Sequence, residues 1–282
     1  MIPAAAPALR FSKMHGAGND FVVIDRRSHD VPLPRELVQR LCDRHRGVGC
    51  DQLLTIEPAR TPGALLAYGI RNADGSDSGQ CGNGARCILA WAQRDGLIGT
   101  GQSTLLDSPS GPVAATIDAD GAICVSLQAP DFEPASIPFD APPAERHRLD
   151  IDGRTIWFQA LSMGNPHAVV QTDDVAAADL ARIAAAIQSD PRFPESCNVG
   201  LAQPLDRARI RLRVAERGVG ETLACGSGAC AAVAALSRRG LLDARVAVEL
   251  PGGTLDVTWP GGSAPVQLRG PTAFVFEGEW LA

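Results

Sequence analysis

Residues 79–87 read GQCGNGARC, and residues 223–230 read LACGSGAC. In each stretch a cysteine leads two closely spaced glycines, and an alanine-rich apolar run follows. A step of 144 positions carries Cys81 to Cys225, Gly82 to Gly226, Gly84 to Gly228 and Ala85 to Ala229. The same step takes RDGLI at 94–98 to RRGLL at 238–242. With a two-residue slip, SPSGPVAATID at 108–118 falls on LPGGTLDVTWP at 250–260. Near the start of each half, MHGAGNDFVV at 14–23 resembles MGNPHAVV at 163–170 across a short gap. Chance recurrence of small residues accounts for one such match, not for several in the same order. The chain reads as an internal duplication.

Local patterns repeat the plan. FVVID, LLAYGI, VAATI and ICVSL read as strands, as do RIRLRV, RVAVEL, LDVTW and AFVFEG. DADG at 118–121 and DG at 152–153 are hairpin-turn signals. After each glycine motif comes one helix, ARCILAWAQR or ACAAVAALSRR, apolar on nearly all sides and therefore expected to be buried. Gly96 and Gly240 stand where C-terminal capping glycines belong. The proline-rich segment 128–144 reads as a linker, and 176–188 as an extra amphipathic helix peculiar to the second half. The expected fold is α+β, with two pseudo-symmetric β-rich lobes, each around a central buried helix. Residues 1–128 would form the N-terminal lobe and 129–270 the C-terminal lobe. Residues 271–282 would supply a last strand returning to the first.

Composition narrows the function. At 282 residues, with 45% hydrophobic and 21% charged residues, the chain can build a sizeable core. A net charge of −6 without a basic run argues against nucleic acid or an anionic membrane as partner. The opening MIPAAAPALRFSK reads as neither signal peptide nor anchor, and no apolar run nears the roughly 20 residues of a membrane span. A cytoplasmic protein with reduced thiols is expected. The eight cysteines contain no C-x-x-C and no zinc-finger spacing, so no metal site is expected.

Cys81 and Cys225 alone occupy equivalent positions. A Gly-x-Gly run opening a helix leaves backbone N–H groups unpaired at the positive end of the helix dipole. Such a place stabilises a thiolate and can hold a substrate carboxylate. The other six cysteines read as ordinary small packing residues. Two opposed thiols suit inversion at one carbon, where one thiolate removes the α-proton and the other thiol delivers a proton to the opposite face. Pyridoxal phosphate would need a lysine Schiff base, and Lys13 is the only lysine. A route without cofactor fits better, with two helix N-termini stabilising the developing charge. Asn72 and Glu216 each stand nine residues before their motif cysteine. Glu216 and Arg217 together suit an ammonium and a carboxylate. Asn19, Asn165 and Asn198 lie in turns where they could face a ligand, although each alone also reads as a turn residue bonding local backbone.

Taken together, KMHGAGNDFVVID, RNADGSDSGQCGNGARC, SMGNPHAVV and ERGVGETLACGSGACAAVA resemble the diaminopimelate epimerase family, from Phe11 onward. The resemblance implies conversion of LL-2,6-diaminopimelate to the meso form without cofactor or metal, for lysine and peptidoglycan precursors. It implies two barrel-like lobes, a small-molecule amino-acid substrate in the cleft, and a homodimer. It matches Cys81 and Cys225 to the catalytic thiols, and Gly82, Asn83, Gly226 and Ser227 to clamps on the reacting carboxylate. Asn72, Asn165, Asn198, Glu216 and Arg217 match contacts to the distal head, and Asn19 and Gln52 further binding positions. His167, which alone reads as a structural histidine in a turn, matches with Glu216 a pair that tunes the thiols. The rivals are a two-cysteine racemase of the proline type, a phenazine-pathway isomerase, and a thiol redox protein. Proline has no second head for the Asn/Glu/Arg set, the isomerases lack the paired thiols, and a redox protein has no use for the helix-opening glycines.

Overall fold

The computed structural model describes residues 9–28 and 32–281, so the first eight residues of the 1–13 stretch read above as neither signal nor anchor lie outside the described residues. The chain divides into two compact units, residues 1–123 with 272–282, and residues 124–271. The first unit opens with a hairpin, β1 (Leu9–Gly16) and β2 (Asn19–Asp25). Ala17 and Gly18 turn it with φ of 52° and 86°, the paired positive values of a type I′ turn. α1 (Arg35–Cys42) then crosses over to β3 (Gln52–Glu57), which runs parallel to β2. β4 (Ala64–Asn72) returns antiparallel, α2 (Gly82–Arg94) crosses over, and β5 (Ser103–Ser108) lies parallel to β4. β6 (Gly111–Ile117) closes the run antiparallel to β5.

The second unit takes most of β7 (Ile123–Leu127), which pairs with a late strand described below. β8 (His147–Ile151) and β9 (Arg154–Ser162) form a hairpin about Asp152 and Gly153, with φ of 48° and 77°. β10 (Pro166–Gln171) is antiparallel to β9. α3 (Leu180–Gln188) then leads to β11 (Asn198–Asp206), parallel to β10. β12 (Arg209–Glu216) follows antiparallel, with the short β13 (Gly220–Thr222) on its other side. α4 (Gly226–Arg238) crosses to β14 (Arg245–Leu250), parallel to β12. β15 (Gly253–Thr258) and β16 (Val266–Gly270) complete the run antiparallel, and β7 pairs with β16. Finally β17 (Ala273–Trp280) pairs with β1 in the first unit.

Both units therefore carry one pairing order: antiparallel, parallel, antiparallel, parallel, antiparallel, from β1 through β6 and from β9 through β12 to β14 and β15. Each parallel step is bridged by a helix. This corrects the reading of segment 176–188 as peculiar to the second half, because α1 occupies the place in the first unit that α3 holds in the second. α1 is only eight residues long and carries three buried residues, Val38, Leu41 and Cys42, too short a pattern to announce itself. The proline-rich segment is likewise no free linker. Ile137 and Phe139 are buried in a cluster with Phe158, Val199 and the Leu180 and Ile187 side chains of α3.

The two glycine-led helices form the centre of their units. In α4 every residue from Gly228 to Leu236 is buried, and in α2 so are Gly82–Ala90 and Ala92. Gly96 and Gly240 end them at φ of 77° and 72°. Leu97 N–H reaches back to Ala92 O and Leu241 N–H to Leu236 O, so the last turns are closed by Schellman-type bonds. Among the described residues no helix is long and apolar enough to cross a membrane.

Candidate active site

The duplicated order puts the polar residues at strand ends beside the helix N-termini. In the first unit Cys81 is the N-cap of α2, in extended conformation (φ −148°, ψ 105°). Its sulfur accepts the Gly84 N–H at 3.3 Å, so it satisfies one of the free donors of the first turn. Gly84 leaves room for this, since a Cβ there would lie 3.3 Å from Leu54 and 3.5 Å from the Cys81 Cβ. The thiol is half-buried, and at 3.7 Å it donates to Asn19 Oδ1 at the start of β2. Asn83, in the first turn of α2, donates to the same oxygen at 3.1 Å. Gln52 and Asn72 form a separate pair: they face each other across β3 and β4, with Gln52 Nε2 donating to Asn72 Oδ1 at 3.0 Å.

In the second unit Cys225 holds the equivalent place before α4 and is buried. Burial pushes its thiol well above the usual range, and the Glu216 carboxylate, which accepts a hydrogen bond from it, adds to the rise. The Ser227 hydroxyl, 3.6 Å from the sulfur, and the Gly228 N–H pull weakly the other way. The sequence suggests a lowered thiol at a helix N-terminus; here the helix end is outweighed by desolvation and a neighbouring negative charge. Glu216 is held by the Thr222 hydroxyl at 2.6 Å.

Asn165 donates to Ser227 Oγ at 3.4 Å and accepts from His167 Nε2 at 2.9 Å. His167 is fully enclosed on β10, and burial, with some help from the Arg217 cation, lowers it to about 3. It is therefore a neutral ring with its Nε2 proton on Asn165. Asn198, first residue of β11, accepts the Arg217 N–H at 2.9 Å. The Arg217 guanidinium is half-exposed and donates to Glu195 O at 2.9 Å, with the Glu195 carboxylate at 3.9 Å.

Each unit thus gathers a cysteine, a helix N-terminus opened by Gly82 or Gly226, and amides from strand ends. Asn19, Cys81 and Asn83 meet directly in one; Asn165, His167, Ser227, Cys225 and Glu216 meet in the other. Sequence reading misses four residues that hold these groups: Asp51, Arg86, Glu195 and Thr222. Arg86 carries the one available signal, a lone arginine inside a helix otherwise expected to be buried. The remaining cysteines are unbridged, and only Cys124 among them is not buried. Cys42 and Cys50 pack sulfur to sulfur at 3.3 Å. Among the described residues no three or more His, Cys, Asp or Glu side chains are grouped to hold a metal ion.

Comparison with known proteins supplies the family. The diaminopimelate epimerase family model matches residues 11–132 and 159–274. A diaminopimelate epimerase from Xanthomonas euvesicatoria is 52% identical over 275 residues, covering 96% of each chain. An O-ureido-serine racemase from Streptomyces lavendulae is 51% identical over 286 residues, covering 100% of this chain and 99% of its own. Among solved structures, a hydroxyproline epimerase from Agrobacterium vitis superposes with a TM-score of 0.72 at 16% identity, covering 98% of this chain and 93% of its own. A phenazine biosynthesis protein from Bacillus anthracis gives 0.68 at 15% identity, covering 98% and 100%. At those identities the likeness concerns the fold.

Proposed function

The chain belongs to the diaminopimelate epimerase family, and on that premise we propose that it inverts one α-carbon of LL-2,6-diaminopimelate with Cys81 and Cys225 as its proton-handling pair. The observation that carries the reading is the equivalent placement of the two cysteines, each at the N-terminus of its unit's buried helix. One cysteine, as thiolate, takes the α-proton from one face of the carbon. The resulting carbanion is stabilised as its carboxylate gains enolate character against the N–H groups after Gly82 and Gly226. The other cysteine, as thiol, delivers its proton to the opposite face, so the substrate gains one proton and loses one. Glu216 takes up the Cys225 proton when that sulfur acts as base. His167 stays neutral and orients Asn165.

No cofactor enters this route. Lys13 already donates to Asp20 and to Gly49 O, and it is buried, so it is not placed to form a Schiff base. The working unit is proposed to be a cytoplasmic homodimer acting on a small amino acid.

The O-ureido-serine racemase relative makes the far end of the substrate the deciding question. Diaminopimelate ends in a second carboxylate and ammonium, whereas an O-ureido group is neutral. Arg217, with Asn72, Asn165 and Asn198, favours the charged head. Rates should be compared for LL-diaminopimelate and O-ureido-L-serine, in the wild type and in Arg217→Met. The expected outcome is preference for diaminopimelate, with KM for it raised roughly tenfold or more by the substitution. Faster turnover of O-ureido-L-serine by the wild type would overturn the substrate assignment.

A further inference from the structure

Arg86 lies on α2 one turn below the Cys81 motif with none of its surface exposed. A guanidinium is a donor only, and burying one is costly unless it organises something. Its Nη2 donates to Asn83 Oδ1 at 2.8 Å, and its Nη1 to Gly82 O at 3.4 Å. Asn83 Nδ2 donates to Asn19 Oδ1 at 3.1 Å, and Asn19 Nδ2 donates to Asp51 Oδ2 at 2.8 Å. The chain of bonds therefore runs one way, from a group that can only donate to a carboxylate that can only accept. Asp51 is itself fixed by Arg44 at 2.7 Å and by the Asp20 N–H at 3.1 Å. Gly16 makes space for the chain, since a Cβ there would lie 3.3 Å from Asn83 O and 3.4 Å from Arg86 Nη2.

We propose that Arg86 and Asp51 are positioning residues of the Cys81 half-site, fixing the two amides between them so that Asn19 presents its carbonyl oxygen to the Cys81 thiol. At 3.7 Å from the sulfur this oxygen accepts the thiol proton, whereas the Gly84 N–H at 3.3 Å and the α2 N-terminus favour thiolate, so the Asn19 oxygen is the contact that holds the proton on sulfur. Were the Asn19 amide reversed, its N–H would face the sulfur and favour thiolate. The inference rests on the reading of Cys81 as a proton-handling thiol. Among the charged groups around it, the buried Arg86 cation on α2 favours thiolate, and the Asn19 oxygen that Arg86 helps to orient opposes it. On β4, Tyr68 is buried and its phenol pushed up; on α2, Cys87 is buried and likewise pushed up. β1, packed on α2, contributes Lys13, tied to Asp20, and His15, whose Nδ1 accepts from the Gly18 N–H. β6 carries no titratable side chain.

The test is the pH dependence of Cys81 alkylation by iodoacetamide, read by peptide mass, in the full chain. Asp51→Ala removes the acceptor end. Cys81 should then alkylate roughly three- to tenfold faster near pH 7, with its midpoint moved to lower pH. Asp51→Asn should restore the wild-type profile, because its carbonyl can replace Oδ2, which receives both the Asn19 and Asp20 N–H groups, while Arg44, losing its bond to Oδ1, keeps its two bonds to Asp20. An unshifted profile in folded Asp51→Ala would overturn the proposal, as would a shift in Asp51→Asn as large as in Asp51→Ala. A separate activity assay of Cys81→Ser distinguishes the underlying reading: full activity there refutes the role of the thiol, whatever the alkylation profile shows.

Discussion

His167 shows how a single side chain can be set by its surroundings rather than its type. Fully enclosed, with a positive Arg217 nearby, it is lowered to about 3, whereas in the unfolded chain it titrates near its ordinary value of 6.5. Between those two pH values the unfolded state holds the extra proton. Stability contributed by the neutral ring is therefore complete above about pH 6.5 and is lost progressively as pH falls toward 3. Denaturant titrations at a series of pH values should show wild-type stability falling by about 1 kcal/mol or slightly more per pH unit below 6.5 relative to His167→Gln. Equal pH slopes in the two proteins would contradict the assignment of His167 as buried and neutral.

The same scale shows what single residues disclose in sequence. Cys81 and Cys225 are legible because duplication marks them, and Asn72 and Glu216 because they keep the same spacing. Asp51 is not legible, since it acts through an amide 32 residues away, while Arg86 shows only as a charge in an apolar helix and its partner Asn83, three residues before it, gives no further sign. The raised Cys225 thiol is hidden for a related reason: burial is a property of the folded unit, while the glycines that suggest the opposite are local.

At the scale of elements, the N-terminus of each central helix has to satisfy two demands at once. It must pack tightly and, in the proposed mechanism, leave its cysteine free to move a proton. Gly228 illustrates the conflict, because an added Cβ would lie 3.0 Å from Val214 Cγ2 and 3.3 Å from both Cβ and Sγ of Cys225. Alanine raises helix propensity by about 1 kcal/mol over glycine, so Gly228→Ala need not unfold the protein. It should instead displace the thiol, lowering kcat roughly tenfold or more while the thermal midpoint moves by only a few degrees. Unchanged kcat in a folded variant would show that the close approach has no part in placing the sulfur. Strands such as FVVID and RVAVEL were legible because their apolar residues and turn signals are local. α1 was not, because eight residues with three buried positions carry too little periodicity, and its existence follows from the parallel pairing of β2 and β3 that it bridges.

For the whole molecule, the repeated pairing order is what would make the proposed two-thiol enzyme economical to build. One unit design, used twice, supplies two helix N-termini, two cysteines and two sets of strand-end amides. The surroundings then differ: Asn19 accepts from Cys81, whereas a carboxylate, Glu216, accepts from Cys225. Whether the two sulfurs act on opposite faces of one carbon is decided by turnover of LL-diaminopimelate in deuterium oxide, stopped at low conversion. Meso product should carry deuterium at the inverted α-carbon while recovered LL substrate remains unlabelled, because the acid and the base are different sulfurs. Product that retains its original proton, or label spread equally through substrate and product, would contradict action on opposite faces.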